Sequence, residues 1–222
     1  MQNPKTKTSL PLILAAGALW GFVEFGAGLG LQKCAALYTG SILTGLSFFW
    51  ISFIWSRDKH FLSLLLILLL AIGFKWMDAL LLHLPWNHAS IVNPIFALFT
   101  AVLGFSVLML LFGKRFFKNT RNRILLGGGS AMLATGLFPL VKFATGIPAC
   151  TWAATQIPQS VATAPVAVLI AMITVPLGYV ASTWLQKRMD GAATDGNPLY
   201  FGRWSTAVFF LCVMILVLAR VA

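Results

Sequence analysis

Seven long runs of apolar residues are the feature that most limits what this chain can fold into. Each run is close to the roughly 20 residues that a helix needs to cross a bilayer. The runs are continuously apolar, whereas the strands of a membrane barrel alternate apolar and polar residues. They cover residues 9–31, 36–55, 61–82, 90–113, 124–145, 160–185 and 200–221. The sequence therefore predicts an all-α polytopic bundle of seven transmembrane helices, in one domain over residues 1–222.

The composition supports a lipid environment. Hydrophobic residues make up 59% of the chain and charged residues 9%, against about 25% charged residues in a typical soluble domain. The first run follows Lys5 and Lys7, as a signal peptide would. It is longer than a signal peptide's apolar region of about 7–15 residues, so we expect a retained first helix.

The distribution of Lys and Arg predicts the orientation of the bundle. With the N-terminus in the cytoplasm, 12 of the 16 basic residues fall in cytoplasmic segments, two fall outside and two lie within helices. Such a bias is the main topology signal of multi-pass proteins. We therefore expect a bacterial cytoplasmic membrane, with the N-terminus inside and the C-terminus outside. The cytoplasmic set is Lys5, Lys7, Arg57, Lys59, Lys114, Arg115, Lys118, Arg121, Arg123, Lys187, Arg188 and Arg203.

The net charge of +11 does not indicate a nucleic-acid partner. Most of the positive residues occupy short connections between apolar runs, the positions of topology signals and of contacts with lipid headgroups. The sequence contains no basic module with interleaved aromatic residues of the kind that binds nucleic acids. The predicted surroundings are therefore the lipid bilayer.

Four charged residues interrupt the apolar runs: Glu24, Lys75, Asp78 and Lys142. A central Asp, Lys or Arg costs roughly 2.5–3.5 kcal/mol on insertion scales, so such residues face the bundle interior or water. The predicted orientation places all four in the outer half of the membrane. Lys75 and Asp78 are three residues apart and share one helical face, whereas Lys142 is close enough to the outer surface to snorkel.

These charges allow two interpretations. Two acids and two bases sum to zero, which suits either a closed structural network or a pocket for a polar, even zwitterionic, small molecule. In the pocket hypothesis the substrate contacts are Glu24, Lys75 and Asp78, with Lys142 as the weakest member. Asn93 and Trp76 lie at similar depth and complete the predicted binding set, although Trp76 also suits the interfacial aromatic belt.

Glycine and proline predict where helices approach and bend. Gly17 and Gly21 form a GxxxG pair, which permits close helix contact. Pro139, Pro165 and Pro176 fall inside predicted spans, where each is expected to kink its helix. The glycine pair is common by chance in such sequences, so it predicts packing better than it predicts a partner.

The outer connections carry further expectations. Asn93, just before Pro94, is placed to cap the fourth helix. Residues 146–159 are long enough to fold over the bundle as a lid, or form an ordinary interfacial loop. Cys34 and Cys150 are both expected outside, where they either form a disulfide or remain free thiols. Cys212 is expected to be a small apolar packing residue.

The sequence offers no catalytic or cofactor motif. It lacks a Walker A sequence, an HExxH motif and a GxSxG motif. The three cysteines have no metal-site spacing, and His83 and His88 have no acidic or Cys partner beside them. We therefore expect a non-enzymatic protein without a metal or cofactor.

Three segments resemble the substrate-binding S components of energy-coupling factor transporters. They are residues 15–24 (AAGALWGFVE), 38–42 (YTGSI) and 93–98 (NPIFAL). The resemblance implies a small membrane protein that captures a vitamin-like or other micronutrient substrate from outside. It also implies docking onto a membrane scaffold subunit driven by ATPase subunits, through small residues of the first helix such as Gly17 and Gly21. S components usually have six spans, so the seventh helix is a departure.

Two functional hypotheses follow. The first is a substrate-binding subunit of a small-molecule transporter, with an outward-facing polar pocket. The second is a non-catalytic structural or assembly subunit of a larger membrane complex, in which the glycine-rich first helix is a partner interface. A stable partner that includes ATPase subunits would favour the first hypothesis.

Overall fold

A computed structural model describes residues 10–31, 36–81, 83–149, 151, 156–194 and 199–221. Within these ranges the chain folds into nine α-helices and no strand. Seven helices are long, and two are short segments near the predicted outer surface. The helices are α1 (Leu10–Leu31), α2 (Ala36–Asp58), α3 (Phe61–Leu81), α4 (Ala89–Phe112), α5 (Thr120–Leu137), α6 (Val141–Thr145), α7 (Gln159–Ala162), α8 (Ala164–Thr194) and α9 (Leu199–Val221). The predicted all-α bundle is confirmed.

Five helical segments are long and apolar enough to cross a bilayer: Tyr38–Asp58, Phe61–Leu81, Ala89–Phe112, Thr120–Thr145 and Ala164–Met189. The protein is therefore a multi-pass membrane protein. The first and last predicted spans form the helices α1 and α9, whose described apolar stretches, Leu10–Gly26 and Trp204–Ile215, are shorter. Membrane crossing by these two helices remains a prediction.

The relative directions of the helices agree with alternating spans. Along the α1–α3 contact, Gly17 faces Leu70 and Gly21 faces Phe74, so these two helices run parallel. Helices α2 and α8 are also parallel, because Ser41 pairs with Thr163 near one end and Arg57 contacts Met189 near the other. Helix α5 runs antiparallel to α8, since Gly127 lies against Ala171 and Arg123 lies over the ring of Tyr179.

The contact between helices α2 and α8 is the most extensive in the bundle. Backbone atoms approach closely because glycines face the partner helix: Gly45 lies against Ile170, and Gly178 lies against the carbonyl oxygen of Phe49. Two hydrogen bonds cross the same contact. Thr174 Oγ1 donates to the Gly45 carbonyl at 2.7 Å, and Ser52 Oγ donates to the Val175 carbonyl at 2.5 Å. Small residues and interhelical hydrogen bonds are the forces that associate helices in lipid.

The glycine pair of α1 serves a contact inside the bundle. A Cβ atom at Gly17 would lie 2.7 Å from Leu70 Cδ1, and one at Gly21 would lie 2.5 Å from Phe74 Cβ. Both glycines are buried. The expectation of close helix packing is met within the chain, and docking of a partner at this pair would require α3 to move away.

Helix α9 packs on the outside of the bundle. Its main contacts are with α1, and Phe209 meets Phe74 of α3 edge-on at a centroid distance of 6.3 Å. Cys212 is 5% exposed and packs in a cluster with Ala18 and Phe25 of α1, so its predicted packing role is confirmed. The other six long helices are joined by contacts that do not involve α9.

The prolines have different effects from those expected. Pro139 lies in a 3₁₀ turn, Phe138–Leu140, that separates α5 from α6, so the expected irregularity is present. Pro165 is the second residue of α8, where its missing N–H is tolerated, and the predicted internal kink at this residue is wrong. The reason is that the predicted sixth span is divided by a turn at Thr163 into α7 and α8.

The cap of α4 also differs from the prediction. The helix begins at Ala89, and His88 is the N-cap, with its ring nitrogen Nδ1 accepting from the Ser90 N–H at 3.3 Å. Asn93 is therefore inside the first turns of α4 and does not cap it. The side chain of Asn93 is therefore not needed for the helix cap.

One cytoplasmically predicted residue is buried at the basic end of the bundle. Arg123 is 6% exposed, its Nε donates to the Phe117 carbonyl at 2.8 Å, and its guanidinium lies 3.2 Å from the Tyr179 ring centroid. These contacts join the 3₁₀ turn Phe116–Lys118 to α8. At the basic end, Arg123 is therefore packed between aromatic side chains of the 3₁₀ turn and α8.

We predict that Gly178→Ala destabilises the protein by about 1–3 kcal/mol, the usual cost of overpacking a close contact. The added Cβ would meet the backbone of α2, which cannot rotate out of the way. The measurement is the midpoint of thermal unfolding in detergent, followed by tryptophan fluorescence.

Gly136→Ala is the matched control, because a Cβ at this helical glycine meets no atom within 4 Å. Alanine favours a helix over glycine by about 1 kcal/mol, so this variant should be as stable as the wild type or more so. Equal midpoints for the two variants would contradict the close α2–α8 contact.

Candidate functional site

A cavity of about 230 Å³ lies between five of the helices and the turn at Thr163. Among the described residues, its walls combine hydroxyl and amide groups with apolar side chains and one carboxylate. The lining comes from α1, α2, α4, α5 and α7. The lining residues are Glu24, Gly40, Ser41, Leu43, Thr44, Ser47, Asn93, Pro94, Ala97, Leu98, Thr100, Ala134, Thr135, Phe138, Gln159, Ser160 and Thr163.

The cavity lies at the end of the bundle opposite the buried Arg123. Its lining comes from the first half of α4, the end of α5, and α7. Arg123 lies in the first turn of α5, at the opposite end of that helix. The predicted orientation makes this the outer half of the membrane. The sequence also places the four intramembrane charges in this half, and the side of the membrane stays a prediction.

Glu24 supplies the carboxylate of the cavity. The residue is 4% exposed, and Ser47 Oγ of α2 donates to its Oε1 at 3.1 Å. The same hydroxyl lies 2.9 Å from the Leu43 carbonyl. Burying a carboxylate is costly unless hydrogen bonds or a cation compensate. The packing of α1 against α2 must therefore keep the Glu24 carboxylate within reach of the Ser47 hydroxyl.

Helix α2 presents a row of hydroxyl groups to the cavity. Ser41, Thr44 and Ser47 follow each other at intervals of three residues, and all three line it. This spacing places side chains on one face of a helix. Ser41 also shares a hydrogen bond with Thr163, whose Oγ1 lies 2.8 Å from the Gln159 carbonyl. The row therefore connects α2 to the segment that precedes α8.

Asn93 contributes an unpaired acceptor. Its Oδ1 atom is buried and has no hydrogen-bond partner in the described structure, and the residue lines the cavity from α4. A buried acceptor without a partner costs about 1–3 kcal/mol. A ligand that donates a hydrogen bond to this oxygen would recover that cost.

The short helix α7 forms part of the cavity wall. Gln159 and Ser160 line it, and Ser160 Oγ donates to the Thr135 carbonyl of α5 at 3.3 Å. Gln159, the last residue of the predicted lid segment, therefore lies at the cavity, and the choice between a lid and an interfacial loop stays open. Cys150 and residues 152–155 of that segment lie outside the described residues, as does Cys34, so the disulfide hypothesis stays a prediction.

The predicted site residues separate into two groups. Glu24 and Asn93 both line the cavity. Lys75 is 5% exposed but is not part of the cavity lining, and the side chain of Asp78 lies outside the described structure. The predicted set is therefore brought together only in part.

Two further members of the predicted set lie on the protein surface. Trp76 is 50% exposed and packs edge-on against Trp86 at a centroid distance of 6.3 Å, as an interfacial aromatic residue does. Lys142 is exposed in α6. Neither residue lines the cavity, because α3 turns Trp76 outward and the turn at Pro139 ends α5 before Lys142.

The hydroxyl lining was missed by sequence reasoning that followed charged residues alone. Ser41, Thr44 and Ser47 recur at intervals of three residues within a mainly apolar run, and that spacing was the signal. Gln159, Ser160 and Thr163 gave no such signal, because their contribution depends on how the chain turns before α8.

Among the described side chains, no group of three or more His, Cys, Asp or Glu is arranged to hold a metal ion. None of the protein-family models, curated proteins or solved structures compared with this chain matches it. The site must therefore be interpreted from its own geometry.

We predict that a cysteine at position 44 reacts with a small neutral thiol reagent, whereas one at position 52 does not. Both positions are on α2, but Thr44 lines the cavity and Ser52 is 0% exposed in the α2–α8 contact. Methyl methanethiosulfonate is added to Thr44→Cys and Ser52→Cys, in a background with Cys34, Cys150 and Cys212 replaced by alanine. The mass of the intact protein reports the reaction. Equal reactivity at the two positions would show that the cavity is not a solvent-reachable space.

Proposed function

We propose that the protein is the substrate-binding subunit of a small-molecule transporter, and that the cavity beside Glu24 is its outward-facing binding site. The observation that carries the proposal is a buried carboxylate and an unpaired amide oxygen in the walls of one cavity. Pockets for small molecules are largely apolar, with a few convergent polar groups. This cavity has that character.

The location of the cavity also supports a transport role. Polar and charged groups at membrane depth are costly and are typical of substrate pathways. Here the polar cavity lies at one end of the bundle, and at the other end the buried Arg123 is held by packing contacts. Such an arrangement suits capture of a substrate from one side of the membrane.

The S-component resemblance suggests how transport would be driven. A membrane scaffold subunit with cytoplasmic ATPase subunits would supply the energy, since the sequence has no Walker A motif. Gly17 and Gly21 pack against α3, so the scaffold would use another surface in the conformation described. In the alternative function, a structural subunit, the cavity would not need to bind a solute.

We predict that the purified wild-type protein retains a small molecule, which denaturation releases and mass spectrometry detects. Glu24→Gln should reduce the retained amount at least about tenfold, because a hydrogen bond to a charged group contributes roughly 1.5–3 kcal/mol. Lys142→Gln is the control, since Lys142 is exposed and lies away from the cavity. Its retained amount should equal that of the wild type.

Purification in mild detergent separates this function from the structural alternative. ATPase subunits in the complex, together with a retained small molecule, are the expected result. A stoichiometric protein partner without ATPase subunits, and no retained molecule in any variant, would contradict the transport function.

We further propose that the cavity opens to the outside of a bacterial cytoplasmic membrane, with the N-terminus inside. In intact cells with the outer layers permeabilised, a charged, membrane-impermeant methanethiosulfonate should label Thr44→Cys. It should label Lys114→Cys, at the basic end, only after the cytoplasmic membrane is opened. The opposite pattern would reverse the orientation that the basic residues predict.

A further inference from the structure

The hydroxyl groups that line the cavity narrow the kind of ligand that it can hold. Each hydroxyl has one hydrogen to donate and two lone pairs with which to accept. Where the protein itself takes the hydrogen, the lone pairs are what remains for a ligand. The described lining contains seven such groups: Ser41, Thr44, Ser47, Thr100, Thr135, Ser160 and Thr163.

On α4 and α5 the hydroxyl hydrogens are taken by the backbone of the same helix. Thr100 Oγ1 donates to the Ala97 carbonyl at 3.0 Å, and Thr135 Oγ1 donates to the Ala131 carbonyl at 2.9 Å. Both threonines are buried and line the cavity. They can therefore offer a ligand acceptor oxygens, but no donor.

The hydroxyls at the two ends of the α2 row have also donated their hydrogens. Thr163 Oγ1 donates to the Gln159 carbonyl at 2.8 Å, so Ser41 is the donor in the hydrogen bond that joins it to Thr163. Ser47 donates to the Glu24 carboxylate at 3.1 Å. These groups too have only lone pairs left for a ligand.

The remaining polar groups complete a lining that mainly accepts. Ser160 donates to the Thr135 carbonyl, and Asn93 adds a buried amide oxygen that has no partner in the described structure. Thr44 is the exception, because its hydroxyl makes no hydrogen bond within the part of the chain that the structure describes. A ligand that donates several hydrogen bonds and accepts one would complement this set.

The charges of the lining favour an uncharged ligand. The described lining contains no Lys, Arg or His, so an anionic ligand would meet no cation there. Its one acidic residue, Glu24, accepts from Ser47 and takes part in a further interaction inside the protein. A charged ligand would lose its hydration in the buried site, at a cost that a neutral ligand avoids.

The size and the other walls of the cavity favour an organic molecule. The volume of about 230 Å³ is several times the roughly 30 Å³ that one water molecule occupies in the liquid. Apolar side chains provide surface for the body of such a molecule. They come from Leu43, Pro94, Ala97, Leu98, Ala134 and Phe138.

The two threonines of α4 and α5 lie at the same level of the bundle. On one side of them, the ring of Phe96 meets that of Phe138 at a centroid distance of 6.1 Å. On the other side, Gly104 lies against the Ser130 carbonyl. The acceptor oxygens of both helices are therefore placed to receive neighbouring N–H groups of one ligand.

We propose that the cavity binds a small uncharged N–H donor with an apolar body, of which a primary carboxamide is the simplest kind, and that Thr100 and Thr135 accept its N–H groups. This inference rests on the proposed binding function and names its substrate class. A carboxamide has two N–H donors, and its carbonyl can accept from Thr44.

Four probes of nearly equal size test the ligand class: benzamide, acetophenone, benzoate and benzamidinium. Isothermal titration of the purified full chain in detergent gives their affinities. Benzamide should bind at least about tenfold more tightly than acetophenone, because the ketone has no N–H group to offer the buried acceptors. Benzoate and benzamidinium should both bind more weakly than benzamide, because each must bury a charge.

Thr100→Val and Thr135→Val test the acceptors, because valine preserves the shape of threonine and removes its oxygen. Each variant should lower the affinity for benzamide at least about threefold and leave that for acetophenone unchanged. Thr183→Val is the matched control, since its hydroxyl also bonds to a carbonyl of its own helix and lies away from the cavity. Gel filtration and the thermal midpoint establish that each variant is folded.

The failures of the two proposals are distinguishable. If acetophenone binds as tightly as benzamide, or benzamidinium binds at least as tightly, the ligand class is wrong while the binding function stands. A benzamide advantage that persists in both cavity variants would also overturn the inference.

The molecule retained on purification decides the case in which no probe binds. A neutral retained molecule with hydrogens that exchange in heavy water, counted by mass spectrometry, would support the class. A retained molecule with a net charge, or without such hydrogens, would overturn it. If no probe binds and no molecule is retained, both the ligand class and the binding function fail.

Discussion

The close contact of α2 with α8 is the constraint on which the rest of the structure depends. In lipid there is little hydrophobic gain from bringing two apolar helices together, so association relies on tight packing and interhelical hydrogen bonds. Gly45 and Gly178 allow the backbones to approach, and the hydroxyls of Ser52 and Thr174 cross the contact. This contact fixes the rotation of α2, which then directs Ser41, Thr44 and Ser47 into the cavity.

The two ends of the bundle stabilise their buried charged groups in different ways. At one end a buried guanidinium is satisfied by backbone carbonyls and by the Tyr179 ring. At the other end a buried carboxylate faces a cavity and accepts a hydrogen bond from Ser47. Both groups would be costly in hydrocarbon. Arg123 is built into the packing, whereas Glu24 lies where a ligand can approach, and this difference separates a structural charge from a functional candidate.

The class of fold was predictable because it depends on composition and run length. The predicted all-α bundle is confirmed, five segments qualify as spans, and the relative helix directions agree with alternation. Local details were less predictable. Pro165 was expected inside a span and instead lies in the first turn of α8, because the turn at Thr163 restarts the helix. Asn93 was expected as a cap, but His88 takes that role.

The site was predictable only in part, from charged residues inside apolar runs and from polar or aromatic residues at the same depth. Glu24 and Asn93 were predicted and line the cavity. Lys75 was predicted from the cost of its charge in lipid and Trp76 from its depth, and neither property determines which way a helix is rotated. That rotation is set by long-range contacts, such as those of Gly17 and Gly21 with α3. The hydroxyl row of α2 carried a periodic signal, whereas the contribution of α7 depended on chain turns that no local pattern specified.

An electron cryomicroscopy map of the purified chain in a lipid nanodisc, bound to a rigid antibody fragment, tests the central claim most directly. The account predicts ligand-sized density in the cavity, in contact with Glu24 and Asn93, and loss of that density in Glu24→Gln with the helices unmoved. A cavity filled by side chains or by a lipid acyl chain, with Glu24 turned away from it, would contradict the account.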